Sequence, residues 1–355
     1  MIAPGGTIGI LGGGQLGRMT ALAAASLGYR CHIFCPEQES PAALVSAAAT
    51  VAPYADEAAL ARFAAAVDVI TFEFENVPAE SAEYIAERRP FFPSPKILRV
   101  AQDRLKEKDF LRSIGVATAR YHEVTGEESL ARAVRDIGPR CVLKTVRLGY
   151  DGKGQVAIRP DSDLGAAWHA MGTALGIVES FVDFRCEISV IVARNASGGW
   201  ASYVPVENQH VNHILDTTIA PARIAPEIAM RAEAVARHVA GDLDLVGLLA
   251  VEMFVTGDGE VLVNELAPRP HNSGHWTIDA CYTSQFEQFV RAICDLPLGS
   301  PERHSDAVMK NLIGDDIAKW REAITEPMAK LHLYGKDEAK PGRKMGHVTR
   351  LAPRR

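Results

Sequence analysis

The run Val261-Leu262-Val263-Asn264-Glu265-Leu266-Ala267-Pro268-Arg269-Pro270-His271-Asn272-Ser273-Gly274-His275-Trp276 begins as an apolar strand and turns abruptly into a dense polar cluster. A second apolar run precedes it, Leu248-Leu249-Ala250-Val251-Glu252-Met253-Phe254-Val255, and Thr256-Gly257-Asp258-Gly259 joins the two. The Asp-Gly pair is a hairpin signal, so the runs read as antiparallel neighbours. Each carries one lone acid, and pairing across the turn sets Glu252 and Glu265 roughly opposite one another. Two facing carboxylates suit a hard cation. Mg2+, with Mn2+ as the alternative, takes oxygen ligands and shares carboxylates with nucleotide phosphates, and the amide of Asn264 can join them. The competing reading is a pair of cross-strand acids on a solvated sheet face. It is the weaker one, because acids inside apolar strands are costly unless paired.

Working outward, the 355 residues suffice for two or three packed units. A formal net charge of −6, mixed in sign and without a basic tract, excludes nucleic acid or an anionic membrane as the main partner. The six cysteines, at 31, 35, 141, 186, 281 and 294, contain no CxxC pair and read as reduced thiols, which predicts a cytoplasmic protein. Met1 to Gly6 lacks the regions of a signal peptide, and no apolar run approaches membrane-spanning length. A soluble, unprocessed chain is expected.

At the N-terminus, Thr7 to Leu11 is a short strand, Gly12-Gly13-Gly14-Gln15-Leu16-Gly17-Arg18 a glycine turn, and an alanine-rich helix runs to about Leu27. Gly12, Gly14 and Gly17 satisfy GxGxxG, which raises a dinucleotide-binding domain. The following strand, however, ends Phe34-Cys35-Pro36, with Glu37 displaced beyond a proline where a ribose-holding acid is needed. The free N–H groups of the helix start are better suited to a substrate phosphate. A doubly wound pattern continues to a strand at 68–72 and the cluster Glu73-Phe74-Glu75-Asn76. Glu75 and Asn76 sit at a strand's C-terminal edge, where ligands bind in such sheets, or else Asn76 caps a helix. A helix from Asp103 to Ile114, stopped by Gly115, follows a boundary near residue 100.

The middle of the chain centres on Cys141 to Gln155. A strand ends in Lys144, and a loop with glycines at 149, 152 and 154 follows, beside Arg147 and Lys153. Glycines let backbone N–H groups approach phosphate oxygens, and the cations add charge, so this reads as a triphosphate cradle without Walker spacing. A plain flexible hairpin is the alternative. The passage 176–182 into 185–192 offers backbone to an adenine edge and Glu187 to a ribose. Asn208 to His213 reads as a polar loop in which His210 and His213 lack a third ligand for zinc, so a nucleotide contact is favoured. Beyond a linker at 297–301, strands are expected near 307–312 and 329–333. The cationic, glycine-bounded segment 340–350 reads as a loop returning to the site, or as a solvated face.

Assembled in order, Gly12 to Met19, Phe72 to Pro78, Gly149 to Gln155, Asn264-Glu265 with Ala267 to His275, and Gly342-Arg343-Lys344 with Gly346-His347 resemble the N5-carboxyaminoimidazole ribonucleotide synthetases, ATP-grasp enzymes of microbial and plant purine synthesis. The resemblance spans nearly the whole chain. It implies an α/β fold, α+β in its ATP-grasp part: an N-terminal Rossmann-like domain (1–100), an ATP-grasp domain (101–295) with a lid at about 116–182, and a small β-rich C-terminal domain (296–355). It implies ATP contacts at Arg104, Lys144, Gly149, Tyr150, Asp151, Gly152, Lys153, Gly154, Gln155, Glu179, Ser180, Phe181, Val182, Glu187, His210, Asn264 and Glu265. Arg104 rests on the resemblance alone. Contacts to 5-aminoimidazole ribonucleotide fall on Gln15, Glu75, Tyr150, Asp151, Arg269, His271, Ser273, Lys344 and Arg350.

The implied reaction consumes ATP and bicarbonate through carboxyphosphate. Mg2+ is held by Glu252 and Glu265; Tyr150, Asp151, Lys153 and Arg269 serve the chemistry. The 144–149 stretch is less basic and less glycine-rich than the family pattern. A homodimer is expected, symmetric dimers being the commonest oligomers, with the product passing to a carboxyaminoimidazole ribonucleotide mutase. The rivals are an ATP-grasp ligase with another acceptor and a nucleotide-binding protein without turnover.

Overall fold

Burial on both faces is what a parallel strand needs, and Ile8, Ile10, Leu11, Val69, Ile70 and Phe72 are all buried. In the computed structural model, which describes residues 1–149 and 153–355, they belong to the first of three sheets. β1 (Thr7–Leu11), α1 (Gln15–Ser26), β2 (Arg30–Cys35), β3 (Ala48–Val51), α2 (Glu57–Ala65) and β4 (Val69–Phe72) wind a parallel sheet in the order β3-β2-β1-β4. α3 (Ala79–Ala86) and α4 (Pro95–Ala101) complete this unit. Asp56 caps α2 by accepting from the N–H of Ala59 at 2.9 Å.

α5 (Arg104–Ser113) starts where Asp103 accepts from the N–H of Lys106 at 3.2 Å, and Gly115, at φ +74°, ends its course. β5 (Tyr121–Val124), α6 (Glu127–Ile137), β6 (Cys141–Thr145), β7 (Gln155–Ile158), α7 (Leu164–Met171) and β8 (Gly176–Ser180) come next. Their antiparallel sheet, β5-β8-β6-β7, has its own core of Val124, Leu130, Leu143 and Val178.

The largest sheet comprises β9 (Phe184–Arg194), β10 (Trp200–Ser202), β11 (Val206–Val211), β12 (Ile214–Ala220), β13 (Gly247–Thr256), β14 (Val261–Ala267), β15 (Ser305–Ile313), β16 (Ala329–Leu333) and β17 (Lys344–Pro353). Its order is β14-β13-β9-β11-β12-β15-β17-β16, with β10 on β9, so the C-terminal strands extend the sheet that carries the acidic hairpin. α8 (Pro226–Asp242) covers one face against Val190, Val192, Leu249 and Val251; α9 (Thr277–Ala280) and α10 (Gln285–Ile293) lie on the other, against Ile191, Ala193, Leu248 and Ala250. Odd and even residues of one strand serve opposite cores.

Two expectations need correction. The 340–350 segment is a loop only to Arg343; from Lys344 it is β17, hydrogen-bonded between β15 and β16 and buried from Met345 to Thr349. Its strand character is hidden because two of its buried positions are His347 and Thr349. The polar stretch 208–213 is likewise the end of β11 and a tight turn, with Asn212 and His213 at φ 51° and 65°, before β12 returns.

Candidate active site

The three sheets enclose a cavity of about 850 Å³. Its floor is the acidic hairpin. β13 and β14 pair so that Glu252 stands directly opposite Glu265, with a register shift immediately after Glu252. β14 is an edge strand, and α5 holds its free edge from behind. Lys108, fully buried, donates to the carbonyl of Asn264 at 2.6 Å, and Glu107 accepts from the N–H of Leu266 at 2.8 Å. The pair replaces the neighbour strand that an edge lacks.

The two floor acids are electrostatically unlike. Burial pushes Glu252 up, but His271, His210 and Arg269 outweigh it and hold the carboxyl below its usual range. Glu265, facing the cavity, is pushed up by burial and by the charge on Glu252. A divalent cation between them would relieve that repulsion. Both supply oxygen, and Asn264 lines the same wall. The donor set therefore fits Mg2+ completed by phosphate oxygens and water.

The second sheet forms one wall. Lys144 on β6 pairs with Glu179 on β8 at 2.8 Å, and both line the cavity with Lys153, Gln155 and Ser180 to Val182. Burial raises Glu179, but Lys108, Lys144 and Arg104 more than offset it and bring the carboxyl to about 2. Arg104 donates to the carbonyls of Thr145 at 3.1 Å and Gly149 at 2.9 Å, tying the loop to the start of α5. A Cβ on Gly149 would meet the Lys153 carbonyl at 2.9 Å and this guanidinium at 3.1 Å, so glycine is required by close approach. His210 Nδ1 lies 3.2 Å from the Glu187 carboxylate, and nearby Phe184 and Phe254 stack at 4.8 Å between centroids. The His210 ring, lowered by burial, is raised on balance by Glu187 and Glu252.

The parallel sheet supplies the opposite wall, with Gln15, Glu73, Glu75 and Asn76. Glu75 pairs with Arg269 at 2.7 Å. Asn76 caps no helix, since Pro78 holds the N-cap of α3. The glycine turn carries a further correction. Its N–H groups at Gly14 and Gly17 bond the buried carboxyl of Glu73, the latter at 2.7 Å, so the acceptor at the start of α1 is the protein's own; burial pushes that carboxyl up, and the two N–H groups only partly offset it. A Cβ on Gly12, at φ +112°, would lie 2.4 Å from Glu73 Cγ. The glycines admit a side chain.

His271 Nε2 lies 3.0 Å from Glu252, and its Nδ1 lies 2.8 Å from Ser273 Oγ. Ser273 is buried and does not line the cavity; it receives a hydrogen bond from Ser189 at 2.6 Å, which in turn receives one from Asn208 at 3.0 Å. It orients the ring instead of facing a ligand. Gly149 and Gly154 also lie behind the lining. Arg350 is not brought to the cavity: six residues along β17 from Lys344, roughly 20 Å at strand rise, it is exposed and grips Glu326 through two 2.6 Å bonds. Lys344 does line it. Tyr150, Asp151 and Gly152 lie outside the described residues. All other expected site residues line the cavity. Glu73, Glu107, Lys108 and the Phe184–Phe254 stack were not expected. Only Glu73, in an acid cluster at a strand's end, carried a signal.

Comparison with known proteins gives the frame for this cavity. The ribonucleotide synthetase preATP-grasp domain matches residues 6–102, the ATP-grasp domain 109–286, and the phosphoribosylaminoimidazole carboxylase C-terminal domain 307–355. The N5-carboxyaminoimidazole ribonucleotide synthase of Brucella melitensis is 51% identical, over 99% of this chain and 98% of its own. The crystal structure of an ADP complex of an N5-carboxyaminoimidazole ribonucleotide synthetase superposes with a TM-score of 0.96 at 46% identity, over 99% of this chain and 94% of that one. The Aspergillus clavatus enzyme, crystallised with ADP and 5-aminoimidazole ribonucleotide, gives 0.93 at 32% identity, over 98% and 94%. With cavity, fold and sequence in agreement from end to end, the chain belongs to the N5-carboxyaminoimidazole ribonucleotide synthetase family of ATP-grasp ligases.

Proposed function

We propose that the protein uses ATP and bicarbonate to carboxylate the exocyclic amine of 5-aminoimidazole ribonucleotide, releasing ADP and phosphate, in purine biosynthesis. The observation that carries this reading is one cavity joining an acid pair and cations suited to a triphosphate with a separate polar wall at Gln15, Glu75 and Arg269. A nucleotide on one side and a second anionic substrate on the other can meet there.

We assign ATP to the side of Arg104, Lys144, Lys153, Gln155 and residues 179–182, with Glu187 and His210 toward the ribose. Mg2+, if held by Glu252 and Glu265, would draw charge from the phosphate oxygens. Lys144 and Lys153 offset charge that builds on the transferred group, and their placement is the catalysis. Bicarbonate oxygen attacks the γ-phosphorus, the bond to ADP breaks, and carboxyphosphate forms beside Arg269, whose guanidinium suits the anion. Its breakdown yields phosphate and CO2; the substrate amine adds to the CO2 and loses a proton. Gln15, Glu75, His271 and Lys344 are assigned to the ribonucleotide, and Tyr150 and Asp151 to orienting its amine. Closure of residues 116–182 as a lid would limit hydrolysis of the labile intermediate.

We further infer a homodimer, hand-off of the carbamate to a mutase, and a cytoplasmic location. Reduced thiols at all six cysteines suit that compartment, and no helix among the described residues is long and apolar enough to cross a membrane. The test is ADP release with Mg-ATP and bicarbonate, with and without 5-aminoimidazole ribonucleotide. Strong stimulation is expected; ATP turnover indifferent to the ribonucleotide would reject this acceptor.

A further inference from the structure

Among the described residues no strand pairs with the backbone of His271. β14 ends at Ala267, and Pro268 and Pro270 remove two backbone donors from the segment leading to that histidine. Gln285, the first residue of α10 and fully buried, supplies the missing partner. Its Oε1 accepts from the N–H of His271 at 2.9 Å, and its Nε2 donates to the carbonyl of the same residue at 2.7 Å. One amide thus meets both backbone groups of one residue, as a neighbouring strand would. The remaining Nε2 hydrogen points to His275 Nδ1 at 3.0 Å.

The amide is itself held. Thr277 Oγ1 accepts from the N–H of Gln285 at 2.9 Å and donates to the carbonyl of Gly274 at 2.6 Å, locking the helix start to the turn. A Cβ on Gly274 would come within 2.5 Å of Gln285 Oε1 and 2.2 Å of Ile191 Cδ1, so glycine there is what lets the amide lie against the turn. With its backbone fixed from one side and its ring fixed by Ser273 and Glu252 from the other, His271 has one orientation. We propose that Gln285 is a positioning residue for the ribonucleotide half of the site, acting through His271. The inference rests on the assignment of His271 to that substrate.

The chain contains its own control. Gln288, one turn further along α10, grips the backbone of Gly299 in the same manner, accepting from its N–H at 2.8 Å and donating to its carbonyl at 2.7 Å, away from the cavity. A purely structural role would make the two glutamines equivalent.

Steady-state kinetics of Gln285→Met and Gln288→Met separate the cases. Gln285→Met is expected to raise KM for 5-aminoimidazole ribonucleotide about tenfold while KM for ATP stays within about twofold; Gln288→Met lowers the unfolding temperature and leaves both KM values within about twofold. In a His271→Ala background, Gln285→Met should add less than about twofold. A parallel rise in both KM values, or full multiplication in that background, overturns the proposal. Should Gln285→Met fail to fold, Gln285→Glu keeps the acceptor for the His271 N–H and should give an intermediate KM; a wild-type value overturns the proposal equally. If the wild-type enzyme shows no stimulation by the ribonucleotide, the assigned function fails on its own account. The positioning is then read by NMR of the His271 ring without substrate, which must shift between wild type and Gln285→Met; an unchanged resonance rejects it.

Discussion

Glu252 and Glu265 show how two identical side chains acquire different states from their neighbours. Glu252 is held ionised by His271, His210 and Arg269, whereas Glu265 is pushed toward the neutral form by burial and by Glu252. A cation that needs both carboxylates is therefore sensitive to the loss of either charge. Glu265→Gln should lower turnover by about a hundredfold or more with little change in unfolding temperature; ADP release within tenfold of wild type would remove Glu265 from the cation site. Glu73 tests a different idea. Its carboxyl satisfies two N–H groups at the start of α1, where part of the charge of a helix N-terminus is concentrated. Glu73→Gln keeps one acceptor and sets an NH2 donor against the other N–H, and the urea midpoint should fall by the equivalent of about 1–3 kcal/mol. An unmoved midpoint would mean that another group already satisfies the turn.

At the scale of elements, α5 against β14 and β6 against β8 are where charge does structural work. Lys108 and Glu107 hold the edge of the strand that presents Asn264 and Glu265. Lys108→Met leaves the carbonyl of Asn264 without its donor and removes the cation that restrains the Glu107 carboxyl, which burial pushes up to about 8; the loss of the donor costs about 1–3 kcal/mol, and KM for ATP should rise with it. Retention of wild-type KM would show that β14 holds its place unaided. On β8, burial raises the Glu179 carboxyl but Lys108, Lys144 and Arg104 hold it at about 2 against an ordinary 4.5. Because the folded value is the lower one, its contribution is complete above pH 4.5 and is lost as pH falls toward 2, on the order of 3 kcal/mol. Urea midpoints measured between pH 5 and 3 should fall for wild type and much less for Glu179→Gln, and parallel slopes would contradict the assignment. The same elements show what a sequence can disclose. The acid-bearing hairpin was legible because Asp258-Gly259 marks a turn that brings the two acids within one residue of facing; the turn register alone pairs Glu252 with Asn264, and the irregularity between Glu252 and Met253, which the sequence does not announce, sets Glu252 across from Glu265. β17 was not, because two of its buried positions are the polar residues His347 and Thr349, and the His347 ring finds its partner outside the strand, in Tyr334 just past the end of β16, at 2.8 Å. Nor was the work of Glu107 and Lys108, since adjacent opposite charges on a helix look the same whether solvated or clamping a strand edge.

At the scale of the molecule, the 116–182 segment has a core of its own and meets α5 both through Leu105, packed with Val146 and Ile177, and through polar bonds. β14 receives it at Val263, whose N–H donates to the carbonyl of Ala117 at 2.8 Å, and Arg147 pairs with Asp103 at 3.3 Å. Arg104 is the tie closest to the chemistry, bonding two carbonyls of the glycine loop while lining the cavity. If this arrangement excludes water while carboxyphosphate exists, loosening it should cost coupling before it costs phosphoryl transfer. Arg104→Met keeps the length of the side chain and removes both loop bonds. The expected result is a rise in KM for ATP of about tenfold, together with more ADP formed per molecule of carboxylated product than in wild type. Parallel assays of ADP and of product, made on the same reaction mixture, give that ratio directly. An unchanged ratio with a raised KM would make Arg104 an ATP contact only, and would leave the exclusion of water to the loop itself.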